Sequence, residues 1–87
     1  MNLNDYRILS AIIDKEDKTK GIKEFNGTTI KEIVAKTQLS ERKIRETKDK
    51  LLKRGFIREG IKNMNIKSYV MTQLGIEELK KTMEGNK

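Results

Sequence analysis

Eighty-seven residues suffice for one small domain, 1–87, which buries only ~60% of its unfolded surface and therefore gains from pairing with a second copy. The chain has no Cys and no His, which excludes disulfides, thiolate and imidazole metal sites, and catalysis by either side chain; it also fits a reducing, cytoplasmic setting. The formal charge is +7, and residues 28–62 hold 11 basic against 5 acidic groups while residues 1–27 hold 5 of each, so the positive field is local and directed at a polyanion.

The first helix is predicted over about Asn4–Asp17, with Asn4 as its cap and Asp5 in the first turn. Tyr6, Leu9 and Ile13 recur at helical spacing, and Ile8 and Ile12 widen the stripe enough to face both a core and a subunit partner; the plainer reading is that all of it is intradomain core. No apolar run at the N-terminus reads as a signal peptide or a membrane span. Residues 18–28 (KTKGIKEFNGT) read as a loop punctuated by Gly21 and Gly27, with Ile22 and Phe25 tucked onto the core.

The second helix begins at Thr29, where Thr29-x-x-Glu32 is a capping box. Its apolar face is Ile30, Ile33 and Val34; it ends near Lys36, and Thr37-Gln38 makes the turn. The third helix, 40–54, starts at the N-cap Ser40, with Leu39 and Ile44 as a hydrophobic staple. Ile44, Leu51 and Leu52 mark its buried side. At ~100° per residue, Arg42, Glu46 and Lys53 point away from that side, with Lys43, Asp49 and Lys50 flanking them and Arg45 nearer the buried edge. Glu46–Lys50 and Asp49–Lys53 are ready i,i+4 ion pairs, the bland explanation of this charged surface. Gly55 ends the helix in a left-handed cap.

Phe56–Lys62 and Ile66–Thr72 read as the two strands of a β-hairpin, rich in β-branched and aromatic residues. Asn63-Met64-Asn65 is a turn that tolerates positive φ, at a polar, basic tip. Thr72 caps a last helix running to about Glu84 with the stripe Ile76, Leu79, Met83, and residues 85–87 read as a frayed end.

This order resembles the winged helix-turn-helix fold, mainly α with a small β-hairpin wing at about 56–72. TIKEIVAKTQLS at 29–40 resembles its helix–turn segment, SERKIRETKDKLLKRGFI at 40–57 its recognition helix, and YVMTQLG at 69–75 the end of its wing. All three patterns are similar to bacterial regulators of the MarR and PadR type. Small winged-helix proteins of plasmids and phages, among them repressors, replication proteins and centromere-binding adaptors of tubulin-like partition systems, are nearer in size. The chain departs from the pattern in three ways. Gln38 stands where the turn usually holds Gly, Lys48 stands at a usually aliphatic position, where its stem can lie on the core with the ammonium turned outward, and the long dimerisation helices of MarR proteins are missing.

The resemblance implies a double-stranded DNA-binding protein that places helix 40–54 in the major groove. Ser40, Arg42, Lys43, Arg45 and Glu46 lie at the entering end, where Arg can read a guanine edge and Glu can accept from cytosine. Lys50, Lys53 and Arg54 lie further along, for phosphates. Thr28, Thr29 and Lys31 sit at the positive end of the second helix. Arg58, Lys62, Asn63, Asn65 and Lys67 belong to the wing. The leading expectation is a homodimeric transcriptional repressor, cytoplasmic and nucleoid-associated, its dimer made by the first and last helices. The alternative is a plasmid or phage segregation or replication adaptor that binds tandem repeats and recruits a second protein. No enzyme, cofactor, metal or membrane role is expected. Two Tyr and two Phe are few platforms for stacking single strands.

Overall fold

The computed structural model describes residues 1–85, with side chains through Lys81, so the expected contribution of Met83 and the frayed segment beyond Gly85 lie outside the described residues. Four helices and three short strands follow one another as α1 (Leu3–Ala11), a 3-10 turn (Glu24–Asn26), β1 (Thr28–Thr29), α2 (Ile30–Thr37), α3 (Glu41–Lys53), β2 (Ile57–Glu59), β3 (Ser68–Met71) and α4 (Gln73–Gly85).

Helix α1 is shorter than its apolar periodicity predicts, and it starts earlier. Asn2, not Asn4, is the cap: its side chain accepts from the Asp5 N–H at 2.9 Å, and the Asp5 carboxylate accepts from the Asn2 N–H at 3.2 Å. At the other end, carbonyls that would continue the helix bond elsewhere. Lys36 Nζ donates to the carbonyls of Ala11 (3.1 Å) and Ile13 (3.4 Å), and the Thr28 hydroxyl donates to that of Ile12 (2.5 Å). These distant partners meet the need of a helix end for donors and stop the helix at Ala11. Ile8, Leu9 and Ile12 still pack into the core, beside Ile33, Ile44 and Leu51.

The α2–α3 pair follows its local signals. Thr29 and Glu32 form the capping box at 3.1 and 3.2 Å. Arg7 Nη2 donates to the Thr37 carbonyl at 2.8 Å, supplying a cation where the helix dipole favours one. Gln38 then takes the left-handed conformation (φ 61°), and Ser40 opens α3 by accepting from the Lys43 N–H at 3.1 Å. A side chain at such a φ is strained, so Gln38→Gly is expected to stabilise the fold by up to about 1 kcal/mol, measured as a higher urea midpoint at unchanged slope.

The sheet has the order β1-β3-β2, all antiparallel. Sequence patterning does not reveal β1, which has only two residues; it pairs Thr28 with Tyr69 and Thr29 with Ser68. This pairing fastens the start of α2 to the base of the wing. The hairpin strands are shorter than expected because the chain leaves β3 after Gly60: the Ile61 N–H donates to the Glu24 carbonyl at 2.9 Å. Ile61 and Ile66 therefore lie outside the strands and are exposed. Phe25, expected on the core, is 73% exposed, while Ile22 packs inward. The tip closes as a two-residue turn with positive φ at Met64 (52°) and Asn65 (67°) between a bonded Asn63–Ile66 pair.

Candidate nucleic-acid interface

Helix α3 presents four faces. Ile44, Thr47 and Leu51 are buried. Lys43 and Lys50 lie on the side towards α1. Lys50 Nζ bonds the buried Asp5 carboxylate at 3.0 Å, and Thr47 Oγ1 donates to the same carboxylate at 3.4 Å. Arg42, Glu46 and Lys53 form the outer face, and Glu41, Arg45 and Lys48 the opposite flank. This is the angular order that the helical repeat sets, with one difference in pairing. The expected Glu46–Lys50 and Asp49–Lys53 pairs are replaced by Arg42–Glu46 (3.3 Å), Arg45–Glu41 (3.1 Å), Lys48–Asp49 (2.8 Å) and Lys50–Asp5.

The Glu41–Arg45–Lys48 flank is one wall of an open cleft of about 500 Å³. The start of α2 (Thr29, Ile30, Lys31) forms its floor with Tyr69, and the wing (Asn65, Ile66, Lys67) forms the other wall. Five residues expected at a polyanion thus meet around one concavity: Thr29, Lys31, Arg45, Asn65 and Lys67. Lys48, at a position where the fold usually buries an aliphatic residue, is the cation that sequence reasoning missed. Its side chain is 16% exposed, its Nζ lies 5.8 Å from the centre of the Tyr69 ring, and its stem is packed on the floor of the cleft. The neighbouring Asp49 carboxylate holds this ammonium above its ordinary pKa; burial opposes the shift without cancelling it. Lys48 therefore stays charged in the cleft. Its helical offset of three from Arg45 was the available signal.

The remaining expected residues divide. Arg42 and Glu46 project from the outer face, the Arg42 side chain 91% exposed. Lys31, Lys53, Arg54 and Lys62 make no side-chain hydrogen bond or salt bridge among the described residues, and all four are exposed. Ser40 stands at the entering end of α3, and Asn63 and Lys62 at the wing tip. One departs from the expectation, and two are paired within the fold while staying about half-exposed. Thr28 is fully buried with its hydroxyl committed to Ile12, so it is closed to a phosphate. Lys50 is drawn to Asp5 by the buried charge. Arg58 pairs with Glu24 at 2.5 Å, which holds the wing base to the preceding loop.

Asp5 is fully buried, and burial pushes its carboxyl up. The bond from Lys50, the Asn2 N–H and the charges of Lys50 and Lys43 outweigh that push and hold it below the ordinary value. With a folded-state pKa below the unfolded ~3.9, its contribution is present above that pH and is lost as the pH falls through the folded value. Asp5→Asn is expected to cost about 1–3 kcal/mol at neutral pH. In urea melts the gap to the parent chain should close on acidification below about pH 4.

No described protein family matches the sequence, and no curated protein matches it. Among solved structures, the chain is similar to the DNA-binding TubR fragment from Clostridium botulinum, with 27% identity and a TM-score of 0.71 over 94% of this chain and 96% of that one. It is also similar to a type III plasmid segregation TubR, at 21% identity and a TM-score of 0.68 over 86% of this chain and 67% of that one. The chain has the winged helix-turn-helix fold. In that fold α3 stands at the position of the recognition helix and the β2–β3 hairpin forms the wing. The similarity is to TubR proteins, whereas the sequence patterns point first to MarR and PadR regulators. The departures at Gln38 and Lys48 are accommodated within the winged helix, by a left-handed cap and by a stem laid over Tyr69. Among the described residues no helix is long and apolar enough to cross a membrane.

Proposed function

We propose that this chain is a double-stranded DNA-binding protein of plasmid segregation type, which binds repeated sites and recruits a second protein. The observation that carries the DNA-binding part is the cleft. Cations from three separate elements, Lys31, Arg45, Lys48 and Lys67, surround it; Glu41 is the one acid in its lining, while Asp49 beside Lys48 and Glu59, 3.8 Å from Lys67, lie outside it. It runs between a recognition helix and a wing, where the sugar-phosphate backbone between a major and a minor groove would pass. The exposed N-terminal half of α3, led by Ser40, Arg42 and Glu46, enters the major groove, and Lys53 and Arg54 meet phosphates further along. The similar TubR fragment is described as DNA-binding, which supports both readings, and TubR as a plasmid segregation protein, which favours an adaptor over a repressor.

A second copy would pair through α1 and α4. Leu3 (76% exposed) and Leu74 (50% exposed) lie on these helices. A shallow groove of about 670 Å³ there includes Leu3, Tyr6, Ile13 and Leu79. Such apolar area on a small chain is what dimers cover.

Selection of bound fragments from random duplex DNA, followed by gel shifts on one site and on an array of that site, tests the proposal. Spreading higher complexes on the array support the adaptor; one discrete complex on a palindrome returns the reading to a repressor. No selectable duplex, or a binding constant independent of salt, overturns DNA binding. On the selected site, Arg42→Ala should relax preference at one or two base pairs, costing about 1–3 kcal/mol of discrimination. Lys53→Ala should weaken specific and random DNA alike and lower the salt slope by about 1.

A further inference from the structure

The wing tip carries side chains that phosphate binding does not use. Met64 is 88% exposed, Ile61 60% and Ile66 58%. Three large apolar side chains thus stand together at the end of a hairpin whose flanks are Lys62, Asn63, Asn65 and Lys67. The tip is held in shape: the Asn63 N–H donates to the Ile66 carbonyl at 3.2 Å, and the Ile66 N–H to the Asn63 carbonyl at 2.9 Å. Met64 occupies the first position of this turn at φ 52°, where Asn, Asp or Gly is the ordinary residue. A Met there is unfavourable for the backbone and for solvation at once. Strained, exposed positions of this kind are found where a ligand is met.

We propose that Met64, backed by Ile61 and Ile66, is an apolar wedge that enters the DNA minor groove beside the recognition helix and partly unstacks one base step. This rests on the DNA-binding reading above. Continuity with the cleft supports it, because Ile66 lines both the cleft and the smaller hollow that holds Ile61 and Met64. The apolar tip therefore adjoins the surface on which a phosphate backbone would lie. The flanking chemistry matches the same occupant. Lys62 and Lys67 suit the phosphates on either side of a minor groove, and the amides of Asn63 and Asn65 suit its A·T acceptors. A lipid surface would engage the tip alone and leave the recognition helix without a role. Unstacking costs least at flexible pyrimidine–purine steps, so the wedge would select such a step at a fixed distance from the α3 contacts.

The test uses the full chain and a duplex recovered by the random selection, with 2-aminopurine replacing each adenine in turn. Binding should raise the fluorescence of one or two adjacent positions roughly threefold or more, at a place outside the α3 contacts. Met64→Asn, which suits the left-handed turn, should abolish that rise and weaken binding roughly 3- to 30-fold with an unchanged circular dichroism spectrum. Met64→Gly should do the same. A parent chain that binds the duplex and leaves every adenine stacked overturns the wedge and leaves the DNA-binding reading standing. So does a Met64→Asn chain that unstacks the same base as fully as the parent. Binding to phosphatidylserine–phosphatidylcholine vesicles that Met64→Asn abolishes, without unstacking on DNA, reassigns the tip to lipid and overturns it too. A chain that binds no duplex overturns both readings together.

Discussion

Affinity for duplex DNA is expected to fall at least ~100-fold when Arg45→Glu is combined with Lys48→Met. At about 5 Å from a phosphate, one unit charge contributes about 1–3 kcal/mol when the effective dielectric lies between that of water and ~20. The double variant removes two attractions of this size and adds one repulsion, while ~1.4 kcal/mol is already tenfold in affinity. Both side chains flank the cleft from α3, Arg45 half-exposed beside Glu41 and Lys48 laid over Tyr69. Met is chosen at 48 to keep an apolar stem on that ring. Anisotropy titrations over a salt series should show the log–log slope reduced by about 2, one for each lost phosphate contact. The melting curve should stay close to that of the parent, because neither charge holds the core together. An unchanged affinity would remove the cleft from the interface and leave only the outer face of α3 as a candidate.

Gly75→Ala is expected to destabilise the fold by about 3 kcal/mol or more, through the clash of a single added methyl group. A Cβ at Gly75 would sit 2.0 Å from the Phe56 carbonyl oxygen and 2.7 Å from Met71 Sδ. The closer obstacle is backbone, which cannot rotate aside. Two corners of the chain are stacked here. The Thr72 N–H donates to the Phe56 carbonyl at 3.1 Å, the Thr72 hydroxyl donates to the Gly55 carbonyl at 2.5 Å, and the Gly75 N–H donates to that same hydroxyl at 3.1 Å. Pushing α4 outward by the radius of a methyl group would break this set and loosen the base of the wing where α3 ends. For a domain of this size the melting temperature should drop by roughly 12–24 °C, read by thermal circular dichroism. Gln73→Ala, at an exposed position in the same first turn of α4, is the matched control and should be nearly neutral.

The Thr72–Gly75 corner also explains a pattern visible in the bare sequence. Tyr-x-apolar-Thr-x-x-Gly marks the end of the wing because Thr bonds across to the α3–β2 corner and Gly makes room for it. The spacing was legible; its reason was not, since the partner carbonyls belong to residues 55 and 56. The same division runs through the chain. The capping box of Thr29 and Glu32, the Ser40 cap, the left-handed Gly55 (φ 76°) and the positive-φ turn at the wing tip are satisfied within a few residues. Their donors and acceptors are set by local spacing, so they can be read before folding. The angular order of side chains on α3 is legible for the same reason, since it follows from the helical repeat alone.

Long-range pairing decided the rest. The stop of α1 at Ala11 depends on Lys36 and Thr28, which reach its last carbonyls only after α2 has packed. Asp5 looks like an ordinary first-turn acid, yet packing closes over it and pairs it with Lys50. Strand β1 consists of two threonines that no pattern marks, and its pairing with β3 brings Lys31 beside the wing. By itself, then, the sequence determined the caps of α2 and α3, the hairpin turn, and which charges share a face of α3, because backbone groups there find partners a turn or less away. Only the tertiary structure decided which of those charges border a common cleft and which are consumed inside the fold. That outcome depends on which side chains come within reach once separate elements bury their apolar faces against one another.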